Sequence, residues 1–458
     1  MSERPRSDRP RRLSEWLNPT GARKVHSLVD KVYQRKNLEL AWDRVRSNQG
    51  SGGIDGATIE DFEANAEENL DRLHRELRGG EYRPQPILQR MIPKPGQPGE
   101  QRPLGIPTIY DRVCQQAVLN RLEPIFEPVF DDASFGYRRG RSRKDALRKI
   151  WREIEDGSEW NVDADLKNFF GSVDHERLLT LVNQLIADGR VLELIRSFLE
   201  AGCIAGGKRL PTEEGTPQGG VVSPLMSNIL LTPFDREMRR RGDHVTRYAD
   251  DWSATCCSKC EAEAVQRAAR KILAALGVEL HPEKTRIVHV RHGFEFLGYR
   301  IKRGERPLRL PPWMLRSGVQ RGALYAFPRS RSVDHFKEQI RRRTRRKAPV
   351  ITENVIDQIN PVVRGWGQYF CKAHVRKLFA QLDRWILQRI WSHRLKRWRC
   401  RGYKVLPERK LYGELGLVRL VALIPSLAPR FERGLAKAGC GKSACPVWEA
   451  DGSQRSGN

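Results

Sequence analysis

Apolar residues in this chain recur either every three or four positions, as in a helix, or at alternate positions, as in a strand. The helical spacing predicts helices over 25–77, with a break at residues 51–53, and again over 111–130. Between them, residues 83–108 are dense in proline and glycine, which indicates short strands joined by turns. The first part of the chain is therefore predicted to combine helices with short strands.

The middle of the chain shows both spacings. Residues 161–166 alternate apolar side chains with Asp163 and Asp165, so the two aspartates share one face of a predicted strand. Residues 261–280 contain the apolar face of a helix that stops at a glycine, and a strand-like run follows at 286–290. The middle of the chain is therefore predicted to contain both strands and helices.

Beyond about residue 330 the composition changes to helices with basic faces. Val333, Phe336 and Ile340 line one side of a predicted helix whose other side is rich in arginine. We therefore place a domain boundary near 305–330. The Arg- and Pro-rich residues 1–24 predict a flexible basic arm, and the Gly- and Ser-rich residues 434–458 a loosely ordered tail.

The charge of the chain points to its partners. Lys and Arg number 83 against 56 Asp and Glu, a net charge of +27 that attracts polyanions such as nucleic acid. With 39% hydrophobic residues, including 11 Trp and 15 Phe, the chain should nevertheless fold around a core. It has no apolar run of membrane-spanning length and no secretory signal, so we expect no membrane association and a cytoplasmic, nucleoid- or RNA-associated location.

The cysteines do not indicate a disulfide framework or a zinc site. There are 9 cysteines, an odd number in a chain without a secretory signal, which favours free thiols. Cys257 and Cys260 have a C-x-x-C spacing and Cys440 and Cys445 form a second near pair, but neither pair has partner ligands at zinc spacing.

The sharpest chemical signal is Tyr248-Ala249-Asp250-Asp251, which strand-like runs flank on both sides. A hairpin there would present the two carboxylates at its tip, while Asp165 ends another strand. Three carboxylates in a basic protein repel one another unless cations neutralise them, and hard oxygen ligands suit Mg²⁺. Alone, an Asp-Asp pair is more often a solvated turn.

Two further segments suit a nucleotide. The paired glycines Gly219 and Gly220 precede an apolar helix, where backbone amides can approach a phosphate, although an ordinary loop is equally plausible there. Lys94 and Arg102 flank a Pro- and Gly-rich turn and would suit a triphosphate, although such basic hairpins are more often solvated surface.

In this order, these residues resemble a reverse transcriptase of the group II intron maturase type, over about residues 25–400. Residues 134–142, 281–285 and 296–299 match further blocks of that family, and 360–370 resembles its maturase domain. The resemblance implies that Asp165, Asp250 and Asp251 are catalytic and, with the Leu166 carbonyl, hold two Mg²⁺ ions, for which Mn²⁺ could substitute. It implies that Lys94, Arg102, Phe170, Gln218, Gly219 and Lys284 bind the nucleotide. Phe170 would exclude a ribose 2′-hydroxyl. The arginines expected to bind RNA are Arg138, Arg139, Arg141, Arg341, Arg342, Arg345, Arg346 and Arg397.

The resemblance also implies an architecture, that of a right-hand polymerase. The fold class is then α+β. Fingers are expected over 25–155, an α+β palm with an antiparallel sheet over 156–305, and an α-helical thumb or maturase domain over 306–433. Many relatives continue into a His-Asn-His endonuclease. No histidine follows His393, and we therefore expect no endonuclease activity.

The expected function is RNA-directed DNA synthesis from deoxynucleoside triphosphates on an RNA template with a DNA primer or target. The same protein would bind its group II intron RNA and assist splicing and mobility. Two alternatives stay open: a maturase that no longer polymerises, and a domesticated relative acting in DNA repair or phage defence. The three intact carboxylates count against the first. The intron class, the natural primer and the oligomeric state are left open.

Overall fold

The computed structural model describes residues 16–18, 21, 23–93, 99, 101–212, 214–307, 322–345, 350–396 and 402–425. The predictions for Lys94, Arg346, Arg397, the Cys440 and Cys445 pair and the tail at 434–458 lie outside these residues. The chain divides into two compact units, Met1–Val288 and His289–Asn458.

Six of the ten helices described in the first unit begin with a capping side chain. Ser142 accepts a hydrogen bond from the Asp145 N–H, and Ser258 does the same for the Glu261 N–H, which satisfies amide groups that the first helical turn leaves free. The predicted helical stretches in this unit are confirmed. The helices are α1 Val29–Tyr33, α2 Arg35–Ser47, α3 Ile59–Ala64, α4 Ala66–Gly79, α5 Ile109–Phe126, α6 Arg143–Glu155, α7 His175–Val182, α8 Gly189–Glu200, α9 Ser223–Arg240 and α10 Lys259–Ala275.

Two four-stranded sheets lie in the same unit. The strands are β1 Ile87–Pro93, β2 Gln101–Ile106, β3 Trp160–Ala164, β4 Cys203–Ala205, β5 Lys208–Leu210, β6 His244–Tyr248, β7 Asp251–Cys256 and β8 Arg286–His289. One sheet has the order β2-β1-β4-β5 and the other β6-β7-β3-β8. A continuous hydrophobic core runs through the unit and includes Trp42, Phe126, Phe234 and Trp252.

The second unit contains a three-stranded sheet and three long helices. The strands are β9 Phe294–Phe296, β10 Tyr299–Pro307 and β11 Gly322–Pro328, and the helices are α11 Ser330–Arg343, α12 Thr352–Phe370 and α13 Arg376–Leu395. The sheet order is β11-β10-β9. Trp366 of α12 stacks on Phe336 of α11 with 4.5 Å between ring centroids, which joins these helices through aromatic packing.

Strand pairing in the second unit can be compared with the predicted end of the palm at residue 305. β10 pairs with both β9 and β11, so residues 294–307 belong with the strands and helices that follow them. The units divide at Val288, earlier than the predicted palm end at 305. The fingers, palm and thumb limits stay a prediction.

Part of the predicted flexible arm is packed. Leu17 is 2% exposed, and its N–H donates to Gln184 Oε1 at 2.6 Å. Arg236 donates to the Trp16 carbonyl at 3.0 Å. Residues 16–18 are therefore anchored to the first unit by polar side chains of α9 and of the segment after α7. Among the described helices, none combines the length and apolar composition needed to cross a membrane.

Candidate active site

The acidic pair lies at the tip of a β-hairpin, as the flanking strands predict. In the β6–β7 hairpin Tyr248 pairs with Asp251, which leaves Ala249 and Asp250 as a two-residue turn. Ala249 has φ +61°, a left-handed conformation that costs a residue with a side chain roughly 1 kcal/mol. Asp250 therefore projects from a strained turn, and Asp251 opens β7.

The third carboxylate reaches the same place from the neighbouring strand. β3 pairs antiparallel with β7, and the last pair joins Ala164 to Trp252. Asp165 follows directly, so continuing the register places it opposite Asp251. Burial raises the pKa of Asp250 above its ordinary value, and the negative charge of Asp165 raises that pKa further. Asp165 and Asp250 are thus close enough to repel each other.

A buried ion pair holds the turn from beneath. Arg247 and Asp235 are both fully buried, and their side chains meet at 2.8 Å for Nε–Oδ1 and 2.6 Å for Nη2–Oδ2. The Arg247 Nη1 also donates to the Ala249 carbonyl at 2.8 Å and to Asn228 Oδ1 at 3.1 Å. A desolvated guanidinium with this many acceptors fixes the backbone of the strained turn.

A second segment packs against the turn. The Phe135 N–H donates to the Arg247 carbonyl at 2.8 Å, and Asn228 Nδ2 donates to the Gly136 carbonyl at 2.9 Å. A Cβ atom at Gly136 would overlap the Ala249 backbone nitrogen. Glycine is therefore required here for close approach, and the motif at 134–142 supports the acidic hairpin from inside the protein.

Three cations act on the carboxylates. Lys284 Nζ lies 2.9 Å from Asp165 Oδ2. The charges of Arg247 and of Arg102, on β2, lower the pKa of Asp250 and so partly offset the effect of burial. No set of three Asp, Glu, His or Cys side chains within the described residues is already gathered around a metal position. The donor chemistry still suits a divalent cation, because the mutually repelling carboxylates Asp165 and Asp250 supply hard oxygen ligands.

The bend after β3 is fixed by main-chain bonds. The His281 N–H donates to the Asp165 carbonyl and the Lys167 N–H donates to the Glu279 carbonyl, both at 2.9 Å. Leu166, between them, is buried and forms a bridge with Leu280. The proposed metal contact of the Leu166 carbonyl stays a prediction.

Three residues predicted to bind nucleotide come together beside β2. Phe170 and Gln218 line one cavity, and the Phe170 carbonyl accepts a hydrogen bond from the Thr216 N–H at 2.6 Å. The Gln218 carbonyl accepts from the Gly105 N–H at 2.6 Å. Gly219 has φ +117°, and a Cβ there would overlap the Gly105 carbonyl oxygen, so only glycine fits this approach.

Arg138, predicted to bind RNA, points into the protein instead. Its side chain is only 3% exposed and pairs with Glu127 at 2.7 Å. It also donates to the carbonyls of Asp131 at 2.6 Å and Ser134 at 2.9 Å. The sequence motif could not reveal this, because the acceptors come from a loop that folds back around the guanidinium. In this structure Arg138 supports the loop before the motif and does not face a solvent-borne ligand.

The other described arginines of that prediction face solvent to different degrees. Arg139 is exposed and pairs with Glu123 at 2.9 Å, and Arg141 pairs with Asp132 at 2.6 Å. Arg341, Arg342 and Arg345 are exposed at the C-terminal end of α11 and just beyond it. Their contacts with RNA stay predictions.

Tyr137 also lies at the site, although the sequence pattern predicted no role for it. It has φ +58°, and half of it is exposed. Burial of its hydroxyl raises its pKa, and the charges of Asp250 and Asp251 raise it further, so Tyr137 lies beside the acidic pair. The sequence feature that could have identified Tyr137 is its position within the motif at 134–142.

Comparison with known proteins agrees with this geometry. Residues 92–301 match the family model "Reverse transcriptase (RNA-dependent DNA polymerase)", and residues 333–410 match "Group II intron, maturase-specific domain". Protein YkfC of Escherichia coli (strain K12) is 32% identical over 65% of this chain and 88% of its own length. Group II intron-encoded protein LtrA of Lactococcus lactis subsp. cremoris is 40% identical over 43% of this chain and 32% of its own length. A solved structure described as a partial Cas6-RT-Cas1--Cas2 complex aligns with 55% of this chain and 42% of its own, at 23% identity and a TM-score of 0.36.

The sequence matches define the class of protein, a template-directed polymerase with an α+β catalytic unit. The chain belongs to the group II intron-type reverse transcriptase and maturase family. Its enzyme class is accordingly that of an RNA-directed DNA polymerase, in a family that acts in intron splicing and mobility and uses divalent metal ions.

Proposed function

We propose that Asp165, Asp250 and Asp251 hold two Mg²⁺ ions, for which Mn²⁺ can substitute, and that this site extends a DNA primer on an RNA template. The observation that supports this most is the strand pairing, which brings Asp165 of the β3 end beside the Asp250–Asp251 turn of the β6–β7 hairpin. Two metal ions held there would activate the primer 3′-hydroxyl and neutralise the charge on the leaving pyrophosphate. Lys284, 2.9 Å from Asp165 Oδ2, would be released to the nucleotide when the ions bind.

The residues beside β2 would bind the incoming deoxynucleoside triphosphate. Arg102, whose charge already reaches Asp250, would contact the triphosphate, together with Lys94. Phe170 would exclude a ribose 2′-hydroxyl by the size of its ring. The Gln218 and Gly219 backbone, held on Gly105, would form the floor under the templating base pair.

The second unit would provide the maturase function by binding group II intron RNA. A protein that binds only the folded RNA stabilises that fold by mass action, so splicing assistance needs binding energy and no carboxylate chemistry. Its basic side chains at Arg341, Arg342 and Arg345, with the exposed Arg139 and Arg141 of the first unit, would contact phosphates. The net charge of +27 supports association with RNA and the nucleoid in the cytoplasm.

Primer extension tests the polymerase directly. The full-length protein is assayed on an RNA template with a DNA primer, deoxynucleotides and Mg²⁺, as wild type, Asp250→Ala and the exposed control Asp43→Ala. We expect extension by the wild type and the control and none by Asp250→Ala. Extension that survives Asp250→Ala would refute the catalytic assignment.

A splicing assay with intron RNA separates the two activities. Asp250→Ala should still promote splicing, because the proposed RNA contacts do not involve the carboxylates. If folded, RNA-bound wild type extends no primer on several templates, the maturase without polymerase activity becomes the better account. Loss of both activities in Asp250→Ala with its fold intact would contradict the proposed division of labour.

A further inference from the structure

The β10–β11 hairpin of the second unit presents aromatic and basic side chains on one face. Residues directly opposite each other in antiparallel strands share a face of the sheet. Tyr325 is opposite Lys302 and Phe327 is opposite Arg300, so these four side chains lie together. We call them the aromatic face. The residues between them on both strands, Ile301 among them, are buried on the other side.

Both rings of the aromatic face are open to solvent and held in place. Tyr325 is 37% and Phe327 39% exposed, and their rings lie nearly parallel, 6.0 Å between centroids at 15°. His374 packs edge-on to Tyr325 at 4.9 Å. The His374 Nδ1 accepts from the Ala326 N–H at 3.2 Å, and the main-chain N–H of His374 donates to the Ala326 carbonyl at 2.9 Å. Because His374 occupies these edge groups of β11, the strand stays fixed while the rings remain exposed.

The charges around the rings are mainly positive. Arg300 and Lys302 lie on the same face, and the acidic Glu295 lies opposite Arg300 on β9. His374 is buried enough that its pKa is lowered, so the ring is neutral at pH 7. Gly304 lets the Tyr325 ring lie close to the strand, because a Cβ there would be 3.0 Å from the ring.

We propose that the aromatic face binds single-stranded nucleic acid, with unpaired bases stacking on Tyr325 and Phe327 and with Arg300 and Lys302 at the adjoining phosphates. Exposed rings can stack on the flat unpaired bases of a single strand, and the adjacent cations can bind the phosphates that join those bases. A duplex hides its base faces and would gain only the contacts to phosphate. None of these four residues is among the carboxylates or the arginines already predicted to bind RNA.

Fluorescence anisotropy with a labelled oligouridylate tests the stacking. The full-length variants are Tyr325→Leu and Phe327→Leu, which keep apolar bulk without a ring, Tyr325→Phe, which keeps the ring, and the exposed aromatic control Tyr403→Leu. Each Leu variant should weaken binding about 5- to 100-fold, the usual effect of removing one stacking ring. Tyr325→Phe and Tyr403→Leu should bind as the wild type does.

An abasic oligomer of the same length separates stacking from charge. It should bind all variants equally, because it offers phosphates without bases. A Leu variant that weakens the abasic oligomer as much as oligouridylate would point to a disturbed fold and overturn the proposal. So would Leu variants that bind oligouridylate as tightly as the wild type does.

Photocrosslinking locates the contact. A 5-iodouridine oligomer irradiated with the wild type should crosslink at Tyr325 or Phe327, as mapped by mass spectrometry, and crosslinks at neither would overturn the proposal. These measurements require no polymerisation. If ring-dependent binding is found and primer extension is not, the proposed polymerase function fails while the aromatic face stands.

Discussion

Replacing Gly136 with alanine should displace the acidic β6–β7 hairpin while leaving every carboxylate in the chain. The added methyl carbon would overlap the Ala249 nitrogen and lie 2.9 Å from the Tyr248 carbonyl carbon, where 3.4–4 Å is ordinary contact. Both neighbours are main-chain atoms of the acidic turn. The turn therefore has to move, since no flexible side chain can give way.

The size of the effect follows from what holds the two segments together. Gly136 is tied through its carbonyl to Asn228, and Asn228 also bonds Arg247, which fixes the turn. Moving either segment away from the clash stretches these hydrogen bonds. We therefore expect a loss of about 1–3 kcal/mol in unfolding free energy, typical of overpacking. A shift of about 1 Å in reacting groups can cost roughly 100-fold in rate.

Gly140→Ala is the matched control in the same loop. Gly140 has φ +72° and no atom within 4 Å of its would-be Cβ, so it has the backbone penalty of about 1 kcal/mol without the clash. Urea unfolding gives the stability of both variants, and single-turnover primer extension gives the rate at saturating deoxynucleotide. The reasoning would be refuted if Gly136→Ala extended primers at the rate of Gly140→Ala.

Three other substitutions test the same site. Arg247→Met should cost about 3–5 kcal/mol in urea unfolding, because it leaves Asp235 buried and unpaired; a loss no larger than that of an exposed arginine would contradict this. Asp250→Asn should abolish extension. It should also raise the unfolding free energy of the metal-free protein above that of the wild type, and this difference should grow as pH rises from about 4 through the raised pKa of Asp250, because the wild type then has to carry a buried charge. Equal pH profiles of unfolding free energy would count against that pKa. Gly219→Ala should weaken nucleotide binding, seen as a higher KM for deoxynucleotide, whereas Gly206→Ala, also at positive φ but with open space around it, should not.

The sequence predicted the parts of the site that depend on local pattern. The hairpin at 248–251 was found because strand-like runs flank two turn residues, and Asp165 was found at the end of an alternating strand. Their approach in space follows from the β3–β7 pairing, which joins distant segments and leaves no local signal. The resemblance to a known family predicted that Asp165 would lie beside Asp250 and Asp251.

Other parts depend on contacts that local sequence does not encode. Arg138 looked like a surface cation, yet acceptors from a neighbouring loop bury it. Arg247 sits in a strand beside the acidic pair, and its partner Asp235 lies on α9. The β10–β11 hairpin was missed because its second strand follows a long connection and lies where a domain boundary was expected.

The order of strands in the catalytic sheet has a consequence for synthesis on the ribosome. β3 lies between β7 and β8, although both are made long after it. Until β6 and β7 emerge, the strand that leads to Asp165 has neither neighbour and exposes two unpaired edges. Nascent chains stalled before residue 244 should therefore aggregate or recruit chaperones, and the polymerase centre can assemble only late in translation.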